Sequence, residues 1–256
     1  MKKTILSLVL SLMVCSLGLV FAPVVTAQDA ALPRTLVPAN KMDQQWWKDR
    51  HEANKARIAQ GNVDLLLVGD SITHGWDGSG KAVEDYYYGD RNCVNMGFGG
   101  DQTQHVLWRL NDAPMDKICP KAAVLLIGIN SLWGDWENCS ENVAKGIVAC
   151  VDKLQSLYPD CKILVLDIFP AKELASDPIR DRLGKANAIM TETLKDRKNV
   201  TVMSINDLWL NDQGTMYKYL TPDFCHPNQL GYKLWGAEVE PIIAQFLGVE
   251  AKKPLQ

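Results

Sequence analysis

The stretch VDLLLVGDSITHGW, Val63–Trp76, contains a short apolar run, Leu65–Gly69, that is followed at once by Asp70 and Ser71. A short apolar run bounded by polar residues is typical of a strand that helices cover on both faces. It predicts the central strand of a parallel sheet. Because α/β sheets bind ligands at the carboxyl ends of their strands, Ser71 is a candidate nucleophile. A serine after a strand is also an ordinary helix N-cap.

Four further apolar runs repeat this pattern along the chain, separated by segments with helical spacing of their apolar residues. The five predicted strands are 63–69, 93–96, 122–127, 162–168 and 200–205. Strands that alternate with helices predict a parallel sheet with right-handed crossovers. We therefore expect a three-layer α/β/α sandwich with a five-stranded parallel sheet. Asp101 with Gln104 predicts a capping box for the helix after the second strand.

The amino-terminal segment has the pattern of a secretory signal peptide. Lys2 and Lys3 precede an apolar core, and Val25-Thr26-Ala27 supplies small or neutral residues for cleavage after Ala27. Cys15 does not suggest a lipid anchor, since Val14 stands where a small residue is needed. We expect a signal peptide at 1–27, a flexible leader at 28–42, a catalytic domain at 43–256, and a secreted or periplasmic product.

Charge and hydropathy exclude two classes of partner. Without residues 1–27 the chain has 25 basic and 30 acidic residues, a net charge of −5, which argues against nucleic-acid binding because that needs a basic face. No later stretch has the ~18 consecutive apolar residues of a membrane span, so we expect no membrane association after cleavage. The oligomeric state is left open.

Six cysteines would remain in an exported chain, an even number that permits three disulfides among 15 pairings. Cys150 with Cys161, across a helix-to-strand turn, is the pair we expect. The cysteine spacings do not suggest a zinc site.

Polar residues at several strand ends supply the parts of an acyl-transfer site. They are a hydroxyl at Ser71, glycines at Gly99-Gly100, an amide at Asn130, and a carboxylate and an imidazole at Asp223 and His226. Each of these residues, taken alone, could instead be a helix cap, part of a turn or a loop glycine. Their predicted convergence on one edge of the sheet favours a catalytic role over a structural one.

Four ordered blocks resemble the SGNH (GDSL-type) hydrolases. They are Gly69-Asp70-Ser71, Gly99-Gly100-Asp101, Gly128-Ile129-Asn130 and Asp223-x-x-His226. The longer stretch Asn95–Leu110 is similar to the catalytic subunits of intracellular platelet-activating-factor acetylhydrolase and their bacterial relatives. The resemblance covers about residues 62–248 and implies the flavodoxin-like fold of that family.

The resemblance also implies roles. Ser71 is the nucleophile, His226 the base and then the acid, and Asp223 orients the imidazole. The oxyanion is held by the amides of Ser71 and Gly100 and by the side chain of Asn130.

The family works without a metal or a cofactor. By the same resemblance, Ile72, Ile129 and Cys225 line the acyl pocket. Two β-branched side chains there predict a short acyl group, although Cys225 is smaller than the residue its relatives carry.

We therefore predict a secreted serine esterase for short, in particular acetyl, esters on carbohydrate or glycoconjugate substrates. The alternatives are a non-catalytic glycan-binding protein and a lysophospholipase or platelet-activating-factor-type lipid acetylhydrolase. A phosphate-binding loop at 97–100 lacks the Lys-Ser/Thr that should follow it. His74 is the reserve base. Four tryptophans are expected to pack in the core or under a lid rather than to face sugars: Trp46, Trp76, Trp133 and Trp136.

Overall fold

The computed structural model describes residues 32–134, 136 and 138–255. The predicted signal peptide, residues 1–27, lies outside this range. Five strands form one parallel sheet: β1 Leu65–Gly69, β2 Cys93–Gly97, β3 Ala122–Leu126, β4 Lys162–Leu166 and β5 Val200–Met203. The eight α-helices of the described part are α1 Gln45–Ala59, α2 Ser71–His74, α3 Lys81–Tyr88, α4 Thr103–Asp112, α5 Ile129–Leu132, α6 Cys139–Leu157, α7 Pro178–Leu194 and α8 Gln229–Leu247.

The strand order β2-β1-β3-β4-β5 places β1 at the point where the winding direction reverses. Every residue of β1 and β3 is buried. Helices α3 and α8 pack together on one face, while α4, α6 and α7 pack on the other. The predicted three-layer sandwich is confirmed, and its two central strands end side by side at the crevice where such sheets bind ligands.

Residues 32–42 differ from the expected flexible leader because they pack onto the helical layer. Thr35 is buried, and its hydroxyl donates to the carbonyl oxygen of Asn142 (2.7 Å) in α6. The hydroxyl of Thr103 in α4 donates to the carbonyl oxygen of Thr35 (2.9 Å). These two hydrogen bonds give partners to the hydroxyl group and the carbonyl oxygen of Thr35.

The expected Cys150–Cys161 disulfide is wrong, and the six cysteines of the described part are free thiols. Cys150 lies seven residues before the end of α6, about 10 Å along the helix from the turn to β4, which exceeds the reach of a disulfide. Its thiol contacts the carbonyl oxygen of Thr103 (3.6 Å).

The tryptophans divide between core and surface. Trp47 and Trp76 are buried, and Trp136 donates its indole N–H to the carbonyl oxygen of Ser131 (2.8 Å). Trp46 and Trp133 are 45% and 42% exposed. The expectation of core packing is wrong for these two.

Within the described residues, no helix has both the length and the hydropathy of a membrane-spanning segment.

Candidate active site

The turn from β1 into α2 presents Ser71 at the carboxyl edge of the sheet. A Cβ on Gly69 would collide with the hydroxyl of Thr73 and the carbonyl oxygen of Leu126, so this tight turn requires glycine. Asp70 caps α2 by accepting from the backbone N–H of Ile72 (3.0 Å). Ser71 is the first residue of α2.

The side chains of Ser71, His226 and Asp223 form a continuous hydrogen-bonded chain. Ser71 Oγ lies 2.8 Å from His226 Nε2, and His226 Nδ1 lies 2.6 Å from Asp223 Oδ2. The other oxygen of Asp223 accepts from the backbone N–H groups of Cys225 (3.1 Å) and His226 (2.7 Å). One carboxylate therefore orients both the imidazole and the loop that carries it.

The charge of Asp223 is maintained by its partners. Partial burial acts to raise the pKa of this carboxyl, but the hydrogen bonds from His226 outweigh burial and leave the pKa below its ordinary value. The side chains of His226 and Asp223 are about half exposed. The site is thus open to water, which an ester hydrolase needs to resolve an acyl-enzyme.

The candidate oxyanion donors lie at the ends of β1, β2 and β3. Gly100 adopts φ +70°, a conformation that favours glycine. The Asn130 side chain donates one N–H to the carbonyl oxygen of Asp101 (2.9 Å), which leaves its second N–H for a ligand. The Gln102 amide donates to the carbonyl oxygen of Asn130 (2.8 Å) and joins the second and third blocks.

Comparison with known proteins identifies the family of this chain. The model of the GDSL-like lipase/acylhydrolase family matches residues 67–234, more than half of the chain. The chain belongs to this family. GDSL-like acylhydrolases cleave carboxylic esters, so the chain is a carboxylic ester hydrolase.

Several known proteins align with most of the length of this acylhydrolase. Platelet-activating factor acetylhydrolase IB subunit alpha2 of Rattus norvegicus is 29% identical, over 78% of this chain and 85% of its own. A GDSL-like lipase from Bacteroides thetaiotaomicron superposes with a TM-score of 0.62 at 16% identity, over 77% of this chain and 97% of its own. An acetyl xylan esterase superposes with a TM-score of 0.60 at 18% identity, over 70% and 99%. The two structural matches show a shared fold.

A buried arginine that sequence reasoning missed ties the acylhydrolase loops together. The guanidinium of Arg109 donates to the carboxylate of Asp101 (3.0 Å) and to the carbonyl oxygens of Met96 (2.9 Å) and Gly69 (3.2 Å). These bonds connect α4 to the ends of β1 and β2. A charged residue on the apolar face of α4 was the signal available in the sequence, since a buried charge requires partners.

Asp101 therefore does not cap α4 as predicted. Its carboxylate is buried and accepts from Arg109, from the indole N–H of Trp47 (2.9 Å) and from Lys41 (3.2 Å). Gln102 is the N-cap residue, and its backbone N–H donates to Nδ1 of His105 (2.9 Å). Burial lowers the pKa of His105 to about 4, so this imidazole is a neutral acceptor near pH 7.

His74, the reserve base, does not bond to Ser71, whose hydroxyl contacts His226 instead. Its ring stacks on Trp46 with 6.4 Å between centroids. His51 stacks on Trp47 and contacts the carboxylate of Asp112 (2.9 Å), which is a structural role.

The three predicted acyl-pocket residues are all buried beside the site. Ile72 and Ile129 each follow or precede a candidate catalytic residue and are 1% and 2% exposed. Cys225 is also buried, and burial raises the pKa of its thiol to about 12, so it remains an uncharged, small side chain. Tyr232 of α8 donates to the carbonyl oxygen of Ile72 (2.7 Å) and holds α2 against the core. Their assignment to an acyl pocket stays a prediction.

Asp70 gives the acylhydrolase a pH-dependent stability. Burial raises the pKa of Asp70 to about 7, and the neighbouring Asp101 acts in the same direction. An unfolded aspartate titrates near pH 4, so between these values the folded chain holds a proton that the unfolded chain has lost. The contribution to stability is complete below about pH 4 and is lost as the pH rises to about 7.

Asp70→Asn is expected to remove this slope while keeping an oxygen for the N–H of Ile72. Between pH 5 and pH 8, the free energy of unfolding of the wild type should fall by up to about 3 kcal/mol more than that of the variant. Urea unfolding at the two pH values measures the difference. Parallel pH profiles for the two proteins would contradict the buried, protonated state of Asp70.

Proposed function

We propose that this acylhydrolase is a serine esterase that removes short acyl groups, in particular acetyl, through Ser71, His226 and Asp223. The observation that carries the proposal is the hydrogen-bonded chain of 2.8 Å and 2.6 Å through these three side chains. Such a chain lets an imidazole remove the proton of a serine hydroxyl and later protonate the leaving alcohol.

The reaction proceeds in two displacements. His226 Nε2 takes the Ser71 proton as Oγ attacks the ester carbonyl carbon. The backbone N–H groups of Ser71 and Gly100 and the free N–H of Asn130 would stabilise the oxyanion. The tetrahedral intermediate expels the alcohol with the proton from His226, leaving an acetyl-Ser71 ester. Water, deprotonated by His226, then attacks the carbonyl carbon of this ester. The second tetrahedral intermediate collapses with transfer of that proton from His226 to Ser71 Oγ, which releases acetate and restores the serine hydroxyl.

The preference for short acyl groups is supported by the burial of Ile72 and Ile129, the residues that follow Ser71 and precede Asn130 in the sequence. We expect kcat/KM for 4-nitrophenyl esters to fall at least about tenfold from acetate to octanoate, because each added methylene must displace packed core atoms. Release of 4-nitrophenol, corrected with the Ser71→Ala variant as a blank, measures the series. Equal or faster hydrolysis of octanoate would refute the narrow pocket, and no hydrolysis by the wild type would favour a glycan-binding protein.

For the alcohol part of the substrate we infer an O-acetylated carbohydrate. The acetyl xylan esterase that shares the fold and the predicted export both support this class. The identity to platelet-activating factor acetylhydrolase supports a second candidate, an acetylated phospholipid. Acetate released from acetylated xylan and from an sn-2 acetyl phospholipid, compared at equal ester concentration, separates the two.

We also infer export, based on the signal-peptide pattern of residues 1–27. Expressed with residues 1–27 in a secreting bacterial host, the chain should leave the cytoplasm and begin at Gln28. Intact-mass measurement of the mature protein tests this, and a product that retains residues 1–27 would contradict it.

A further inference from the structure

An exposed aromatic pair stands beside the candidate active site. The rings of Trp46 and His74 are stacked, with 6.4 Å between centroids and 15° between planes. Trp47, the next residue of α1, is fully buried, whereas Trp46 keeps 45% of its surface exposed. α1 therefore buries one indole in the core and presents the other beside the carboxyl edge of the sheet.

The pair lies close to the proposed oxyanion donors. A Cβ on Gly99 would lie 3.7 Å from the outer edge of the Trp46 indole and 3.9 Å from Nδ1 of His74. Gly99 directly precedes Gly100, so both rings border the loop that supplies an oxyanion N–H. His74 also ends the one-turn helix that Ser71 begins. A methyl group at Gly99 would be in van der Waals contact with both rings, so the pair lies directly against this loop.

Two contacts fix the distance between this pair and the loop. Lys41, which precedes α1, donates its ammonium group to the carbonyl oxygen of Gly100 (2.7 Å). On the other side of Trp46, Arg50 donates to the carbonyl oxygen of Gly97 (2.7 Å). The start of α1 is thus bonded to the β2 loop before and after Trp46. The pair is a preorganised surface, for which ligand binding costs little side-chain ordering.

The chemistry of the pair fits a sugar ring. An indole offers a flat apolar face with a large contact area, and the C–H face of a pyranose is apolar while its edge carries hydroxyl groups. Burial and the nearby Arg50 lower the pKa of His74, so its ring is neutral near pH 7. Neither ring nitrogen of His74 is hydrogen-bonded to another described residue, which leaves one donor and one acceptor for hydroxyl groups.

We propose that Trp46 and His74 form the binding platform for the sugar ring that carries the acetyl group, on the alcohol side of the ester. The inference rests on the proposed esterase function and names the subsite that selects a saccharide over a simple alcohol. Trp46 supplies the exposed apolar face for the sugar, and the neighbouring imidazole of His74 offers a donor and an acceptor to the sugar hydroxyl groups.

The first test compares two acetyl esters in the Trp46→Ala variant. With acetylated xylooligosaccharide as the substrate, kcat/KM should fall at least about tenfold, whereas with ethyl acetate, which has no ring, it should stay within about twofold of wild type. Trp46→Phe should recover part of the loss. Trp133→Ala, which removes another half-exposed indole, is the matched control and should leave both values unchanged. A loss that is equal for both substrates, or no loss for the saccharide, would overturn the platform.

The second test measures binding without turnover. In the Ser71→Ala protein, intact acetylated xylooligosaccharide should quench tryptophan fluorescence, and the additional Trp46→Ala change should raise Kd about tenfold or more. Trp46-dependent binding by a wild-type protein that releases no acetate would refute the esterase proposal and keep the platform. Saccharide binding that is unaffected by Trp46→Ala, or Trp46-dependent binding of a phosphocholine lipid alone, would refute the platform.

Discussion

Alanine in place of Ser71 or His226 is expected to lower kcat for 4-nitrophenyl acetate by on the order of 10⁴- to 10⁶-fold. Either change removes the 2.8 Å bond through which the imidazole takes the serine proton. The double variant should be hardly slower than either single variant, because the two groups act as one unit. KM should change much less than kcat, since neither side chain is needed to hold the ester.

Both changes should leave the fold intact, because Ser71 and His226 are not core residues. Thermal unfolding of each variant should agree with wild type within a few degrees. If His226→Ala retains more than about a tenth of the wild-type kcat, another group acts as the base. Loss of activity together with a large fall in Tm would indicate misfolding, and the assay would then be repeated with His226→Gln.

Asp223→Asn is expected to lower kcat by about 10⁴-fold while the loop geometry is kept. The asparagine oxygen still accepts from the backbone N–H groups of Cys225 and His226. Its amide N–H, however, would face Nδ1 of the imidazole and place the ring proton on Nε2. That nitrogen then has no lone pair for the Ser71 proton.

The matched control for this variant is Asp160→Asn, an exposed aspartate in the turn before β4, at the opposite edge of the sheet. It should have wild-type kcat. A loss of less than tenfold in Asp223→Asn, measured under the same conditions, would show that the carboxylate does not set the tautomer of His226.

The elements of the fold were predictable because they depend on local patterns. The predicted strand 63–69 contains β1, Leu65–Gly69, and the other four strands differ from the predicted ranges by one or two residues at their carboxyl ends. Asp177 and Pro178 mark the start of α7, and the Asp177 carboxylate accepts from the N–H of Ile179 (3.0 Å). Such signals depend only on residues within one or two helical turns, so they can be read without knowledge of the tertiary structure.

Predictions that needed a long-range partner were less successful. Asp101 was predicted as a helix cap from its spacing to Gln104, but its buried carboxylate accepts a hydrogen bond from Arg109 instead. The exposure of Trp46 and the packing of residues 32–42 likewise depend on contacts across the sequence. A local pattern cannot predict such contacts, because the true partner lies outside the few residues that the pattern covers.

The loop of the candidate base gives a further example. Phe224 adopts φ +56°, a strained conformation for a bulky residue, and its carbonyl oxygen accepts from the backbone N–H of Lys172 (2.8 Å). Lys172 is itself at φ +66°. Two strained residues joined by one bond hold the segment before His226, which is typical of functional sites. The sequence carries no signal for this, since neither residue type favours the left-handed region.

By itself, the sequence determined the alternation of strands and helices and the type of polar residue at each strand end. Hydrophobic periodicity and turn residues act locally. They therefore specify each helix and strand but not which elements pack against one another. The tertiary structure decided which of those polar groups share hydrogen bonds. Ser71 and His226 are 155 residues apart, and only the packing of α2 and the final loop onto one sheet edge brings their side chains within 2.8 Å.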